Sequence, residues 1–128
     1  MANYIFPING KHKITDDYSD HKRRGSVAPG TDFAVKIGTP VYASRGGKVK
    51  IAVYGKGSGG TMVEISHAKG TVRTGYKHLS KLAVKPGQKI TQGALIGYSG
   101  NTGASTGPHL HFDMRVMRRY VDPMKYLA

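Results

Sequence analysis

The stretch Asn101-Thr-Gly-Ala-Ser-Thr-Gly-Pro-His109-Leu-His111-Phe-Asp113 decides how this chain reads. Its first half is turn chemistry, rich in glycine, serine and threonine and closed by proline. Its second half opens an apolar strand expected over 110–116. Side chains alternate across a strand, so His109, His111 and Asp113 share one face. Two imidazoles on one face can flank a metal ion and its water, with Asp113 orienting one of them; the plain alternative is a set of solvated polar side chains. Gly100, Gly103 and Gly107 let the preceding loop turn tightly and approach a bound chain closely.

On both sides of this stretch, short β-rich runs are punctuated by glycine and proline. Strands are expected at 32–36, 41–43, 47–54, 61–67, 72–78, 89–90, 94–99 and 110–116, and a short helix at 122–127 with Pro123 in its first turn. The fold class is therefore all-β: an antiparallel sheet or sandwich, one domain over 1–128, with a β core at 32–116. Residues 1–31 lack a periodic apolar pattern and read as an irregular arm. Gly55, Gly57, Gly59 and Gly60 read as a hairpin loop that also touches a groove. Tyr54, Tyr76 and Tyr98 either line that groove or sit half-buried on strands.

Length and composition narrow the function classes. A chain of 128 residues suits one domain with a real core. There is no cysteine, so a metal must be held by imidazole and carboxylate. No run approaches the roughly 18 apolar residues of a membrane span, and the N-terminus lacks the basic-then-apolar pattern of an export signal. Synthesis in the cytoplasm without a signal is the expectation. Twenty Lys and Arg against seven Asp and Glu give +13, which attracts polyanions. The basic residues are spread along the chain, with no basic helix and no interleaved aromatic platform, so dedicated nucleic-acid binding is not expected.

Two upstream segments join the first. Pro29-Gly-Thr-Asp32-Phe-Ala-Val places a lone Asp at the start of an apolar strand, a costly position unless the carboxylate is paired, metal-bound or capping its own turn. Gly75-Tyr-Lys-His78-Leu-Ser ends a strand with another histidine. In order, Gly-x-Asp, Gly-Thr-Pro-Val, Tyr-x-His-Leu-Ser and Ser-Thr-Gly-Pro-His-Leu-His-Phe resemble the lysostaphin-type zinc metallopeptidases over about residues 28–116. The resemblance implies an antiparallel β domain with a groove whose floor carries Zn2+, with Asp32 and His111 as metal ligands. It also implies His78 and His109 as catalytic residues flanking the metal-bound water.

One departure stands out. The family places its first ligand four residues before the Asp, and here that residue is Ala28. Catalytic zinc takes three protein ligands. His21 is the expected replacement, carried back by the turn-rich segment 22–31; residues 20–32, with the His before an Arg-Gly-Ser turn, resemble a longer variant in phage-borne members, and His12 and His67 are the competitors. The implied activity is hydrolysis of peptide bonds in bacterial peptidoglycan, with anionic wall polymers as further partners and monomer as the default state. The natural setting is a phage lysin, released at lysis or carried in the virion. The alternative is a catalytically inactive peptidoglycan-binding or regulatory protein on the same fold.

Overall fold

A computed structural model of the protein describes residues 3–10, 13–55 and 57–128. Ten strands, all paired antiparallel, form one continuous sheet: β1 (Lys13–Asp16), β2 (Thr31–Ala34), β3 (Pro40–Tyr42), β4 (Gly47–Val53), β5 (Thr61–His67), β6 (Val72–Leu82), β7 (Lys89–Ile90), β8 (Leu95–Ser99), β9 (Leu110–Val116) and β10 (Arg119–Val121). The spatial order is β1-β2-β9-β6-β5-β4-β7. β10 joins β9, and β8 bridges β6 and β3. All eight expected strands form, and the sheet alternative holds.

Alternation divides the sheet into two faces. Phe33, Val49, Val63, Ile65, Tyr76, Leu110 and Phe112 point to one side and build a dry core closed by Ile8, Val41, Leu79 and Ile96. Each such side chain contributes about 1.5–3 kcal/mol on burial. The other face carries Asp32, Lys77, His111 and Asp113, brought side by side by the pairs Asp16↔Asp32, Asp32↔His111 and Lys77↔His111. One register row on this open face thus runs Asp16, Asp32, His111, Lys77.

The structure differs from expectation at both ends. Part of the 1–31 arm is regular: β1 pairs with β2, and helix α1 (Tyr18–Arg23) follows it. The helix starts at a capping box, in which Asp17 accepts from Asp20 N–H (2.8 Å) while Asp20 accepts from Asp17 N–H (3.1 Å). That Asp-x-x-Asp signal was legible, but six residues are too few to show a 3.6-residue pattern. Ile8 is buried in the core rather than loose. At the other end the expected helix at 122–127 shortens to a 3-10 turn, Pro123–Lys125, capped by Asp122 on Met124 N–H (3.0 Å). Among the described residues no helix is long and apolar enough to cross a membrane.

Candidate active site

The site grows from the row on the open face. Asp32 on β2 and His111 on β9 are register partners, and Asp32 Oδ1 lies 2.9 Å from His111 Nδ1. Helix α1 brings His21 over the same carboxylate, with Nε2 3.4 Å from Asp32 Oδ2. One donor atom from each of His21, Asp32 and His111 lies within 4.8 Å of the others. Donors about 2.0–2.1 Å from a tetrahedral zinc are roughly 3.3 Å apart, so this set fits one ion. Ala28, at the position the family gives to a histidine, lines the groove but offers no donor. Of the two competitors, His12 lies outside the described residues. His67 is buried on the core side of the sheet, with both ring nitrogens engaged by the Gly46 carbonyl and the Thr74 hydroxyl.

Partners on the far ring nitrogen fix which nitrogen faces the site. His111 Nε2–H donates to Asp113 Oδ2 (3.1 Å), which leaves Nδ1 facing Asp32: as Nδ1–H it donates to that carboxylate in the metal-free protein, and once deprotonated it offers a lone pair to a metal. His21 Nδ1–H donates to the Asp17 carbonyl (2.8 Å), His78 Nδ1–H to the Thr102 carbonyl (2.6 Å) and His109 Nδ1–H to the Gly107 carbonyl (2.8 Å). Each of these three turns Nε2 into the groove, bare when the ring is neutral. This is the arrangement in which an outer acceptor orients a metal-binding imidazole. Asp113 thus takes the orienting place that strand parity suggested. Its carboxylate is buried and also accepts from Lys77 Nζ (3.0 Å), over Gly75, where a Cβ would collide with Asp113 Oδ1.

Charge follows the same wiring. Burial pushes the Asp32 carboxyl up, but hydrogen bonds from His111 and His21 outweigh it and hold it well below the usual carboxylate range. Burial lowers the affinity of His111 for a proton, yet Asp113 and Asp32 on either side raise its pKa to about 9 in the metal-free protein. His78 moves the other way: burial lowers it, against the opposing Thr102 carbonyl.

His78 owes its place to a backbone distortion. Lys77 pairs with His111, so on a regular strand the next residue would turn to the core. Instead β6 changes partner here, from β9 through Lys77 to β8 from Leu79, and His78 takes φ 63°. The left-handed backbone costs about 1–2 kcal/mol for a residue with a Cβ. It swings the imidazole onto the open face, with its ring centroid 4.7 Å from that of His109. His109, at the end of the Gly-rich loop, sets Nε2 3.7 Å from Asp32 Oδ1.

The five residues sit in an open groove of about 800 Å3. One wall is the Ser105–Pro108 loop, the other the segment from Arg24 to Ala28, and Ser58 and Gly59 of the β4–β5 hairpin close one side. The hairpin and the loop after β8 interlock, since a Cβ on Gly103 (φ 75°) would strike the Gly60 backbone. None of Tyr54, Tyr76 and Tyr98 lines the groove. Tyr76 is a core residue, and Tyr54 is 63% exposed on the hairpin. Sequence reasoning missed Lys77, Asp16 and Arg24. Arg24 makes a two-point pair with Asp16, whose carboxylate lies 3.5 Å from His21 Nδ1. Lys77 was within reach, two residues after Gly75 and on its face of the strand, but only cross-strand pairing shows that it meets Asp113.

The family model described as Peptidase family M23 matches residues 26–123. The chain belongs to peptidase family M23. The peptidoglycan DD-endopeptidase ShyA of Vibrio cholerae is 45% identical over 125 residues, covering 94% of this M23 chain and 29% of ShyA. A crystal structure of a zinc containing peptidase from Vibrio cholerae superposes with TM-score 0.83 at 38% identity, covering 97% of this chain and 40% of that one. The catalytic domain of lysostaphin from Staphylococcus simulans superposes with TM-score 0.72 at 36% identity, covering 98% and 88%. The all-β antiparallel fold is thus the M23 peptidase fold. The chain spans less than a third of the length of the curated relatives it matches.

Proposed function

We propose that this chain is a zinc-dependent endopeptidase domain that hydrolyses peptide bonds in bacterial peptidoglycan. The observation that carries the reading is the convergence of three donors, His21 Nε2, an Asp32 oxygen and His111 Nδ1, beside two further bare imidazole nitrogens on the floor of an open groove. The endopeptidase names of its relatives supply the substrate class. A zinc ion held by His21, Asp32 and His111 would supply a Lewis acid and lower the pKa of a water to about 7.

The chain's own residues do the rest. His78 and His109 each keep Nδ1–H on a carbonyl and turn Nε2 into the groove. One nitrogen takes the proton of the attacking water, and the imidazolium so formed donates to the developing oxyanion and then passes the proton to the leaving amine. The lowered pKa of His78 keeps it neutral near pH 7, suited to accept a proton. The loop Ser105–Pro108 and the segment from Arg24 to Ala28 hold the peptide in line. The chain acts as one catalytic domain over 1–128 whose arm, 1–31, brings the third ligand. The likeness of segment 20–32 to phage-borne members supports a lysin setting, and the net charge supports contact with anionic wall polymers.

A second reading, a peptidoglycan-binding protein without hydrolysis, draws on Ala28 alone. Metal analysis of the purified protein, paired with digestion of purified muropeptides with and without chelator, separates the two. About one zinc per chain with chelator-sensitive cleavage supports the peptidase. Muropeptide binding with neither zinc nor cleavage would replace it with the second reading.

A further inference from the structure

Sequence spreads the basic residues along the chain; register gathers some of them. On the open face, the pairs Lys89↔Lys48, Lys48↔Ser66, Ser66↔Arg73, Arg73↔Arg115 and Arg115↔Tyr120 make one row from β7 to β10. Along β6 this row lies four residues from Lys77, roughly 13 Å from the metal row at about 3.3 Å per residue. Arg73 and Arg115 share the buried carboxylate of Glu64, at 3.2 and 2.7 Å. Lys48, Lys50, Lys69 and Lys89 are exposed and have no ion pair among the described residues. With Arg73, Ser66 and Gly70 they line an open cleft of about 680 Å3.

Nothing nearby offsets this charge. Asp16, Asp17, Asp20 and Asp32 gather at the metal end, and Asp122 caps the last turn. Between residues 33 and 121 the carboxylates are Glu64 and Asp113, both buried and both paired. The cleft is therefore a cationic surface whose lysines have no counter-charge among the described residues, on the same sheet face as the metal groove but apart from it.

We propose that this cleft binds a polymer of repeating phosphates, read by its charge alone. Lysine ammonium groups are point charges on flexible stems and tolerate variable phosphate spacing. The arginine of the cleft already serves Glu64. Among the described residues no exposed aromatic ring lines the cleft to make the stacking platform that single-stranded nucleic acid uses. The fitting partner is a phosphodiester polymer without bases, of the kind that accompanies a cell wall. A polymer held here shares a face with the groove and raises the local concentration of wall-linked peptide over the metal site. Only that last consequence rests on the peptidase reading; the binding does not.

The test uses the full chain and end-labelled poly(glycerol phosphate), with binding followed by fluorescence anisotropy across a salt series. Single-stranded DNA with the same number of phosphates is the comparison. The variant K48Q/K50Q/K89Q is set against K36Q/K81Q/K85Q, which removes the same charge from exposed positions outside the cleft. The cleft variant is expected to bind at least about tenfold more weakly and to lose about two units of log-affinity slope against log salt, from three charges at about 0.7 each. The control triple stays within about threefold of wild type. Soluble muropeptide is cut equally by all three proteins, while whole walls are cut more slowly by the cleft variant. Equal losses in both triples would reduce the effect to net charge and overturn the proposal. Tighter, cleft-dependent binding of DNA would overturn it in favour of a nucleic-acid surface. If no protein cuts muropeptide but the binding difference stands, the peptidase reading fails and the cleft survives.

Discussion

The five described histidines divide into two kinds. His21, His78, His109 and His111 each anchor one ring nitrogen on a backbone carbonyl or on Asp113 and turn the other into the groove, where those of His21 and His111 face Asp32. His67 commits both: Nδ1–H donates to the Gly46 carbonyl (2.8 Å) and Nε2 accepts from Thr74 Oγ1 (2.8 Å). Behind it the chain continues, with Tyr76 Oη–H donating to Thr74 Oγ1 (2.8 Å) and Ser44 N–H donating to Tyr76 Oη (3.0 Å). The two ends, a peptide N–H and a peptide carbonyl, allow one direction of donation. Residue type does not separate a working histidine from a structural one; a ring nitrogen turned into the groove does.

Removing one donor of the candidate metal set should have the largest effect. His21→Ala, Asp32→Ala and His111→Ala are each expected to lower bound zinc from about one per chain to near zero and peptide cleavage by at least about a thousandfold, since two protein donors hold catalytic zinc poorly. Metal content by mass spectrometry and muropeptide turnover measure both. Full zinc in His21→Ala would return the third ligand to an unassigned donor.

His78→Ala and His109→Ala come next. Each is expected to keep its zinc and to lose about 10²–10⁴-fold in kcat, the range for one positioned acid or base. Loss of metal in either would move that histidine into the ligand set.

The sequence showed this division unevenly. The Gly-rich loop, His109 and His111 were legible because the turn chemistry and the period of two mark where β9 begins and which residues share its face, whereas Asp32 and His78 entered as candidates through the resemblance to the lysostaphin-type peptidases. His21 was legible only through a missing partner at Ala28. The face of His78 was not, because parity sends it to the core and only a left-handed residue at a change of strand partner brings it back. Nor was the seat of His67, which reads as a strand-end surface residue until its register with Val72 sets it on the core side. The cationic row was hidden for the same reason, since Lys48, Arg73, Lys89 and Arg115 become neighbours only through pairing.

A smaller effect is expected from His67→Leu, which fills the space but leaves the Gly46 carbonyl and the Thr74 hydroxyl without their partner. A loss of about 2 kcal/mol, or roughly 5–12 °C in Tm, is expected by calorimetry. Zinc content and kcat should remain those of wild type. A drop in zinc would show that the buried chain also shapes the metal groove.

The finest distinction is in pH. Burial holds the His67 pKa below its ordinary 6.5, against the Gly46 carbonyl and aided by the charge of Arg45. A proton on Nε2 would turn an acceptor into a donor facing Thr74. The Thr74 hydrogen would then have to turn toward Tyr76, whose own hydroxyl proton would lose its acceptor. The unfolded chain accepts that proton below about pH 6.5 and the folded chain resists it, so the unfolded state binds more protons and stability falls as pH drops. Above pH 6.5 the contribution is fully present. His78 has the same sign, and His21 and His111 the opposite one. The difference between wild type and His67→Leu, both in chelator, isolates the one group. Between about pH 6.5 and 5, wild type should lose up to about 1.4 kcal/mol per pH unit relative to the variant, the limit for one proton. Denaturant midpoints that run parallel over that interval would mean that the chain tolerates the proton, and the direction of donation would cease to distinguish the structural histidine from the four in the groove.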